Sequence, residues 1–209
     1  MLRILIADDH PIVRRGLREI LQDEYTTAVI VEVSDADAVI VECMRQRWDL
    51  VISDISMPGR SGLEMLYQLK EQLPNVPVLM LSVYPEEQYA ARVLKAGAVG
   101  YLNKDMAPQE LVGAVRKVLS GSKYITPTVA EKLLESLRRD GHLMEHEALS
   151  DREFEVFRML ASGMGIAGIA EQLKLSSTTI STYRARILTK MGARSNADLV
   201  RYAMDHSLL

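Results

Sequence analysis

The chain has 209 residues, of which 25% are charged and 48% are hydrophobic, values typical of globular domains. This composition excludes fibrous and wholly disordered proteins, and the length suffices for two domains. No apolar run reaches ten residues, whereas crossing a bilayer takes roughly 18 to 20, so we expect neither a transmembrane span nor a secretory signal. The single cysteine, Cys43, excludes an intramolecular disulfide and favours a cytoplasmic location.

The net charge of −3 conceals an asymmetry along the chain. Residues 1–122 carry 13 basic and 17 acidic side chains, whereas residues 149–209 carry 8 basic and 6 acidic ones. Within residues 174–201, six basic side chains accompany a single acid, Asp198. An acidic module therefore precedes a locally basic one, and the basic surface predicts a polyanionic partner.

Short β-branched runs alternate with amphipathic stretches of helical length through the first 122 residues. The predicted strands are Arg3–Ala7, Ala28–Val33, Leu50–Ser53, Val78–Leu81 and Gly100–Leu102. The predicted helices are Ile12–Leu21, Asp37–Arg45, Gly62–Gln72, Glu86–Ala96 and Pro108–Leu119. The strands are too apolar to have one face in water, which is typical of a parallel sheet covered by helices. The pattern predicts an α/β unit of the (βα)5 type over residues 1–122.

The rest of the chain has no strand pattern. Residues 123–148 predict a helical linker, with one amphipathic helix over 128–139 and a polar, flexible end. Residues 149–209 predict an all-α domain of several helices joined by short turns.

Polar side chains follow the predicted strands at their carboxyl ends, where open parallel sheets bind ligands. These residues are Asp8, Asp9, Asp54, Ser82 and Lys104. Three clustered carboxylates repel one another, so they either raise a pKa or bind a cation. Oxygen ligands select a hard ion, Mg²⁺ above all. A carboxylate beside Mg²⁺ can attack phosphorus, and a lysine and a hydroxyl can hold the oxygens of the acyl phosphate that forms.

Four segments resemble the receiver domain of two-component response regulators, which has a flavodoxin-like fold. They are Asp8-Asp9, SDISMPGRSG around Asp54, LS at Ser82 and GYLNKD around Lys104. The resemblance implies that Asp54 accepts a phosphoryl group from a sensor histidine kinase. It further implies that Mg²⁺ is held by Asp9, Asp54 and the backbone carbonyl of Ser56, with Asp8 assisting.

The same resemblance assigns the switch. Ser82 and Tyr101 would form a pair in which the hydroxyl moves toward the phosphoryl group and the aromatic ring follows it inward, while Lys104 stabilises the phosphoryl oxygens. Two positions depart from the family pattern. Asp105 follows the lysine where the family frequently has proline, and Ser82 stands where threonine is commoner.

The last sixty residues predict three consecutive helical stretches. A tight turn at 174–176 joins the second to the third, and Ser176 is a good N-cap for the third. That helix turns small, polar and cationic side chains away from its apolar face, which matches helix-turn-helix docking into a DNA major groove. The predicted DNA contacts are Thr178, Thr179, Ser181, Thr182, Arg184, Ala185, Arg186, Thr189, Lys190 and Arg194. A protein-binding helical bundle is the alternative.

The C-terminal segment is similar to the LuxR-type helix-turn-helix over LSDREFEVFRMLASGMGIAGIAEQLKLSSTTISTYRARILTKMGARSNADLVRYA. Together with the receiver, it is typical of the NarL/FixJ class of response regulators. That class often carries lysines where this chain has Ser181 and Ala185, so its base code does not transfer. The resemblance also implies dimerisation, often through the final helix, which begins with the capping pattern Ser195-x-x-Asp198.

We therefore expect a cytoplasmic, phosphorylation-controlled transcription regulator that binds double-stranded promoter DNA as a homodimer when phosphorylated. It would not be an enzyme beyond weak self-dephosphorylation. A Mg²⁺-dependent phosphatase of the haloacid dehalogenase type is one alternative, but that family places a second acid two residues after its nucleophile, and here His10 stands two residues after Asp8. A regulator of the same fold whose DNA affinity is set by another partner is the second alternative.

Overall fold

A computed structural model of the chain describes residues 1–131, 145–206 and 208–209. The chain divides into two compact units, Met1–Ser136 and Leu137–Leu209. The first unit extends beyond the predicted boundary at residue 122, because Tyr124 forms an isolated parallel bridge with Gly100. Of the predicted linker, residues 132–144 lie outside the described residues. In the part that is described, no helix has both the length and the apolar character needed to span a bilayer.

The first unit is a (βα)5 fold, as predicted. Its strands are β1 (Arg3–Ala7), β2 (Val29–Val33), β3 (Leu50–Asp54), β4 (Val78–Ser82) and β5 (Gly100–Asn103). Five helices follow the strands: α1 (Pro11–Glu24), α2 (Ala36–Arg45), α3 (Gly62–Gln72), α4 (Glu86–Lys95) and α5 (Ala107–Leu119). Residues 127–131, at the start of the predicted linker helix, are also helical. All strand pairs are parallel, in the order β2-β1-β3-β4-β5. The order reverses between β1 and β3, which is where such sheets bind ligands.

The core lies on both faces of the central strands. Ile6 of β1 is in register with Ile52 of β3, and both pack in one cluster with Leu111 and Val115 of α5. Every residue of β3 and β4 is buried, as their continuous apolar pattern predicts. Strand β2 does not fit the expectation of two buried faces. It lies at the edge of the sheet, and only Ile30 among its five residues is buried.

The second unit is helical, as predicted. Its helices are α6 (Asp151–Ala161), α7 (Ile166–Leu173), α8 (Ser177–Lys190) and α9 (Asn196–Asp205). Serine hydroxyls cap α6, α8 and α9, each accepting a hydrogen bond from a backbone N–H in the first turn. Lys174 ends α7 in the left-handed conformation, at φ 53°, which produces the sharp turn into α8. Among the described residues of this unit, the fully buried core side chains are Phe154, Val156, Phe157, Ile169, Ile180, Ile187 and Leu199.

Gly62 allows α3 to begin directly against the end of β3, the strand that carries Asp54. A Cβ atom on Gly62 would lie 1.9 Å from the Asp54 carbonyl oxygen. The backbone N–H of Gly62 donates to the carbonyl of Ile55 at 2.8 Å, so the loop between them closes tightly. The close approach therefore depends on the absence of a side chain at this position.

We expect Gly62→Ala to destabilise the first unit by about 3 kcal/mol, because backbone atoms at the end of β3 would have to shift. Gly113→Ala is the matched control, since a methyl group at Gly113 in α5 would meet nothing within 4 Å outside its own stretch of helix. There, higher helix propensity should stabilise the unit by about 0.5 to 1 kcal/mol. Urea unfolding followed by circular dichroism measures both changes, and equal stability of the two variants would contradict the prediction.

Candidate functional site

The acids predicted at the carboxyl ends of the strands lie together. One ligand atom from each of Asp8, Asp9, His10 and Asp54 lies within 4.8 Å of the others. The register between β1 and β3 pairs Ala7 with Ser53, so the residues that follow them stand side by side. Asp8 and Asp54 are almost completely buried, whereas Asp9 is partly exposed. Parallel pairing therefore brings together acids that are far apart in the sequence.

Lys104 provides the cation of this cluster. Its Nζ atom lies 2.7 Å from Asp8 Oδ2 and 2.7 Å from Asp54 Oδ2, and its side chain is largely buried. Burial raises the pKa of Asp54 above its usual value, and the charge of Lys104 opposes that rise. For Lys104 itself, burial acts against the charge, but the carboxylates of Asp54 and Asp8 raise its pKa above the ordinary lysine value. The lysine therefore stays charged between two acids.

The donor set fits a hard divalent cation. The three carboxylates carry a formal charge of −3 and Lys104 carries +1, so a dication would balance the remainder. Among the described residues, His10 is the one other potential metal ligand of the cluster; its side chain is 65% exposed and its Nδ1 lies 2.8 Å from Asp9 Oδ1. Carboxylate oxygens suit Mg²⁺ or Ca²⁺ better than a transition metal.

The loop after β3 orients Asp54. The backbone N–H of Ser56 donates to Asp54 Oδ1 at 3.2 Å, which leaves Oδ2 toward Lys104. Ser61 and Glu64 form a capping box at the start of α3, which fixes the far end of the same loop. The two oxygens of Asp54 thus have different partners.

The predicted switch residues meet at Tyr84, in the loop between β4 and α4. The hydroxyl of buried Ser82 accepts a hydrogen bond from the Tyr84 backbone N–H at 3.1 Å. The hydroxyl of Tyr101, whose ring is also buried, donates to the Tyr84 carbonyl at 2.6 Å. Asn103 donates to the same carbonyl through Nδ2 at 3.2 Å.

Sequence reasoning missed three residues around the cluster. Arg14 donates to the backbone carbonyl of Asp8 at 2.5 Å, and Tyr84 and Asn103 form the contacts just described. Tyr84 acts here through its backbone N–H and carbonyl, which every residue type except proline has, so its identity carries little signal. Asn103 stands next to Lys104, and an amide at a strand end was the available clue.

Most of the residues of α8 that were predicted to contact DNA are exposed to solvent. They are Thr178, Ser181, Thr182, Ala185, Arg186, Thr189 and Lys190. Thr179 is half-buried, and its backbone N–H and hydroxyl both contact the capping Ser176. Ser181 and Thr182 donate their hydroxyl protons to backbone carbonyls one turn earlier, at 2.8 and 3.0 Å. Their oxygen lone pairs therefore remain available as acceptors on the exposed face.

The predicted cations of the helical unit fall into two groups. Lys190 lies 2.6 Å from the buried carboxylate of Glu153, and Arg184 Nε donates to Asn196 Oδ1 at 2.7 Å. Burial alone would raise the pKa of Glu153, but hydrogen bonds from Lys190 and Ser150 hold it below its usual value. Arg186 and Arg194 are exposed, and within residues 1–131 and 145–209 apart from 207 their guanidinium groups have no partner.

Two family models match the chain. The model described as the response regulator receiver domain matches residues 4–116, and the model of bacterial regulatory proteins of the luxR family matches residues 147–203. The response regulator UvrY of Escherichia coli strain K12 is 36% identical over 209 residues, which cover 100% of this chain and 96% of that protein.

Solved structures of RcsB are similar over the same length. RcsB from Salmonella enterica serovar Typhimurium, bound to promoter rprA in the presence of the phosphomimetic BeF3⁻, is 29% identical with a TM-score of 0.63, covering 97% of this chain and 98% of that one. A structure of two RcsB dimers bound to two parallel DNAs is 28% identical with a TM-score of 0.59 and the same coverage. The chain thus belongs to the NarL/FixJ class of two-component response regulators, in which a receiver domain precedes a LuxR-type helix-turn-helix domain.

Proposed function

We propose that Asp54 is the phosphoacceptor and that a sensor histidine kinase is the donor. The observation that carries this proposal is the buried Asp54 carboxylate, which lies 2.7 Å from Lys104 at the rim of the sheet. In the transfer, a carboxylate oxygen forms a bond to phosphorus while the phosphorus–nitrogen bond of the phosphohistidine breaks. The electron pair of that bond returns to the imidazole.

Mg²⁺ is the proposed cofactor. Asp8, Asp9, Asp54 and the backbone carbonyl of Ser56 would hold it, and when bound it would neutralise charge on the phosphoryl oxygens. The balance of three carboxylates against one lysine supports a dication at this site.

Two side chains of the chain would hold the phosphoryl group. The Lys104 ammonium would leave the carboxylates and pair with one phosphoryl oxygen. The Ser82 hydroxyl would donate a hydrogen bond to a second phosphoryl oxygen. Ser82 accepts from Tyr84, so its own proton is available for this purpose. Tyr101, which donates to the same residue, would transmit a shift of the loop to the surface of α4 and β5.

The second domain would bind promoter DNA with α8 in the major groove, as a homodimer when Asp54 is phosphorylated. Exposed Arg186 and Arg194 would contact phosphates, and the side chains of α8 would contact base edges. The similarity to RcsB, solved on promoter DNA and as DNA-bound dimers, supports both parts of this proposal.

We assign the chain to the cytoplasm, because the proposed kinase and DNA partners act in that compartment. The chain would hydrolyse no phosphate ester, and its one hydrolytic step would be the slow loss of the phosphoryl group from Asp54.

We expect acetyl phosphate with Mg²⁺ to add the mass of one phosphoryl group to the wild-type chain and none to Asp54→Asn, because the amide is not a nucleophile. Intact-mass spectrometry measures the addition. Asp23→Asn is the control, since Asp23 is an exposed acid near the end of α1. Equal modification of Asp54→Asn and wild type would contradict the assignment, and equal DNA binding by both in the presence of the donor would favour a phosphorylation-independent regulator.

Magnesium should raise the unfolding temperature of the receiver domain, because it binds the folded acid cluster and not the unfolded chain. Asp9→Asn should reduce this shift, whereas Asp23→Asn should not. Since burial raises the pKa of Asp54, protons compete with the metal, and the shift should be smaller at about pH 5 than at about pH 7.5. Thermal unfolding at increasing MgCl₂ tests this, and a shift independent of Asp9 would count against the site.

Removal of the exposed Arg186 should weaken binding to a labelled DNA duplex. Arg186→Ala should also reduce the slope of log affinity against log salt by about 1, as expected for one lost phosphate contact. Fluorescence anisotropy at several salt concentrations measures the slope. Arg15→Ala, which removes an exposed arginine of the receiver domain, is the charge-matched control and should leave it unchanged.

Lys190→Ala should behave differently, because Lys190 pairs with buried Glu153. We expect it to lower the free energy of unfolding of the second domain by roughly 1 kcal/mol, a modest value because the lysine is 41% exposed. Differential scanning calorimetry separates this effect from DNA binding. A stable Lys190→Ala domain that has lost DNA affinity would assign the lysine to DNA contact instead.

A further inference from the structure

The side chain of Asn103 contacts two parts of the receiver domain at once. Its Nδ2 atom donates to the Tyr84 carbonyl at 3.2 Å, and this hydrogen bond connects the end of β5 to the loop after β4. Its Oδ1 atom accepts from the backbone N–H of Asp105 at 2.8 Å and so caps the short 3₁₀ turn Lys104–Met106. The amide of asparagine offers donors and an acceptor on one short, planar, uncharged group.

The first contact acts on Ser82 through Tyr84. Two donors hold the Tyr84 carbonyl, Tyr101 Oη at 2.6 Å and Asn103 Nδ2. Pro85 follows Tyr84, and a residue before proline is restricted to extended backbone conformations. With the carbonyl held and the backbone restricted, the direction of the Tyr84 N–H is restricted too. That N–H is the group that orients the Ser82 hydroxyl oxygen.

The second contact acts on Lys104. The capped turn begins at Lys104, whose ammonium bridges Asp8 and Asp54 at 2.7 Å. Asn103 therefore joins the backbone that directs Ser82 to the backbone that directs Lys104. These are the two side chains proposed to hold oxygens of one phosphoryl group.

We propose that Asn103 is a positioning residue that sets the Ser82 hydroxyl and the Lys104 ammonium relative to each other for phosphoryl capture. The proposal rests on the proposed phosphorylation of Asp54. A purely structural role would need only the cap of the turn. The positioning role needs the amide donor to Tyr84 as well, and this difference makes the two roles separable.

Asn103→Ser and Asn103→Thr are the informative variants, because a hydroxyl still caps the turn but has no donor that reaches the Tyr84 carbonyl. The probe is acetyl phosphate with Mg²⁺, and the readout is the concentration that modifies half of the full-length chain, by intact mass. We expect that concentration to rise roughly twofold to tenfold, as for one neutral hydrogen bond. The unfolding temperature should stay near that of wild type.

Gln22→Ser is the matched control. Gln22 also donates an amide hydrogen bond to backbone carbonyls, those of Tyr25 and Thr26, but at the opposite end of α1 from the acid cluster. The acetyl phosphate concentration that modifies half of the Gln22→Ser variant should equal that of wild type.

A double-variant cycle with Tyr101→Phe tests whether both donors act through the same carbonyl. If they do, Asn103→Ser combined with Tyr101→Phe should raise the half-modifying concentration by more than the product of the single effects, because the carbonyl then loses both donors. In ¹⁵N NMR spectra, Asn103→Ser should shift the Tyr84 amide and preserve the capped Asp105 amide.

The outcomes separate this inference from the function on which it rests. Failure of wild type to be modified at Asp54 would overturn the proposed function and the inference together. Normal modification of wild type, with Asn103→Ser and Asn103→Thr indistinguishable from it, would overturn the positioning role alone. Multiplicative effects in the cycle would likewise show that Asn103 does not act through the Tyr84 carbonyl.

Discussion

The ion pairs of Lys104 with Asp8 and Asp54 are the interaction on which the receiver site depends. Two carboxylates are buried within a few ångströms of each other, an arrangement that would neutralise one of them or unfold the site without a cation. Lys104 reaches them from the end of β5, across β4. Lys104 follows β5, whereas the acids lie at the ends of β1 and β3. A phosphoryl group that competes with the acids for the Lys104 ammonium would therefore also act on the turn that carries Lys104.

Backbone groups form much of the connection between the acid cluster and the rest of the domain. Ser56 binds Asp54 through its N–H, and Tyr84 binds Ser82, Tyr101 and Asn103 through its N–H and carbonyl. Gly62 allows the close approach of α3 to β3 because it has no side chain, which would collide with the Asp54 carbonyl. The geometry around Asp54 is therefore set by chain path as much as by side-chain chemistry.

The helical domain uses its cations for two purposes. Lys190 pairs with buried Glu153 and Arg184 donates to Asn196, so both connect α8 to neighbouring parts of the domain. Arg186 and Arg194 face solvent and remain available for a polyanion. A buried carboxylate needs a fixed partner, whereas a DNA phosphate can be contacted by an exposed cation on α8 or in the loop that follows it.

The sequence alone determined the order of strands and helices, the parallel sheet, the helix-turn-helix and the acids at the strand ends, because apolar periodicity and strand-end position are local properties. It misjudged β2, whose apolar residues do not reveal that it lies at an edge of the sheet. Only the tertiary structure decided that Lys190 pairs with Glu153, that Tyr84 joins Ser82 to Tyr101, and that Asn103 joins both to the turn of Lys104. The contacts of Lys190 with Glu153 and of Tyr84 with Tyr101 and Asn103 connect residues distant in the chain. Those of Tyr84 use backbone atoms that its residue type does not identify, so they exist only once the chain has folded.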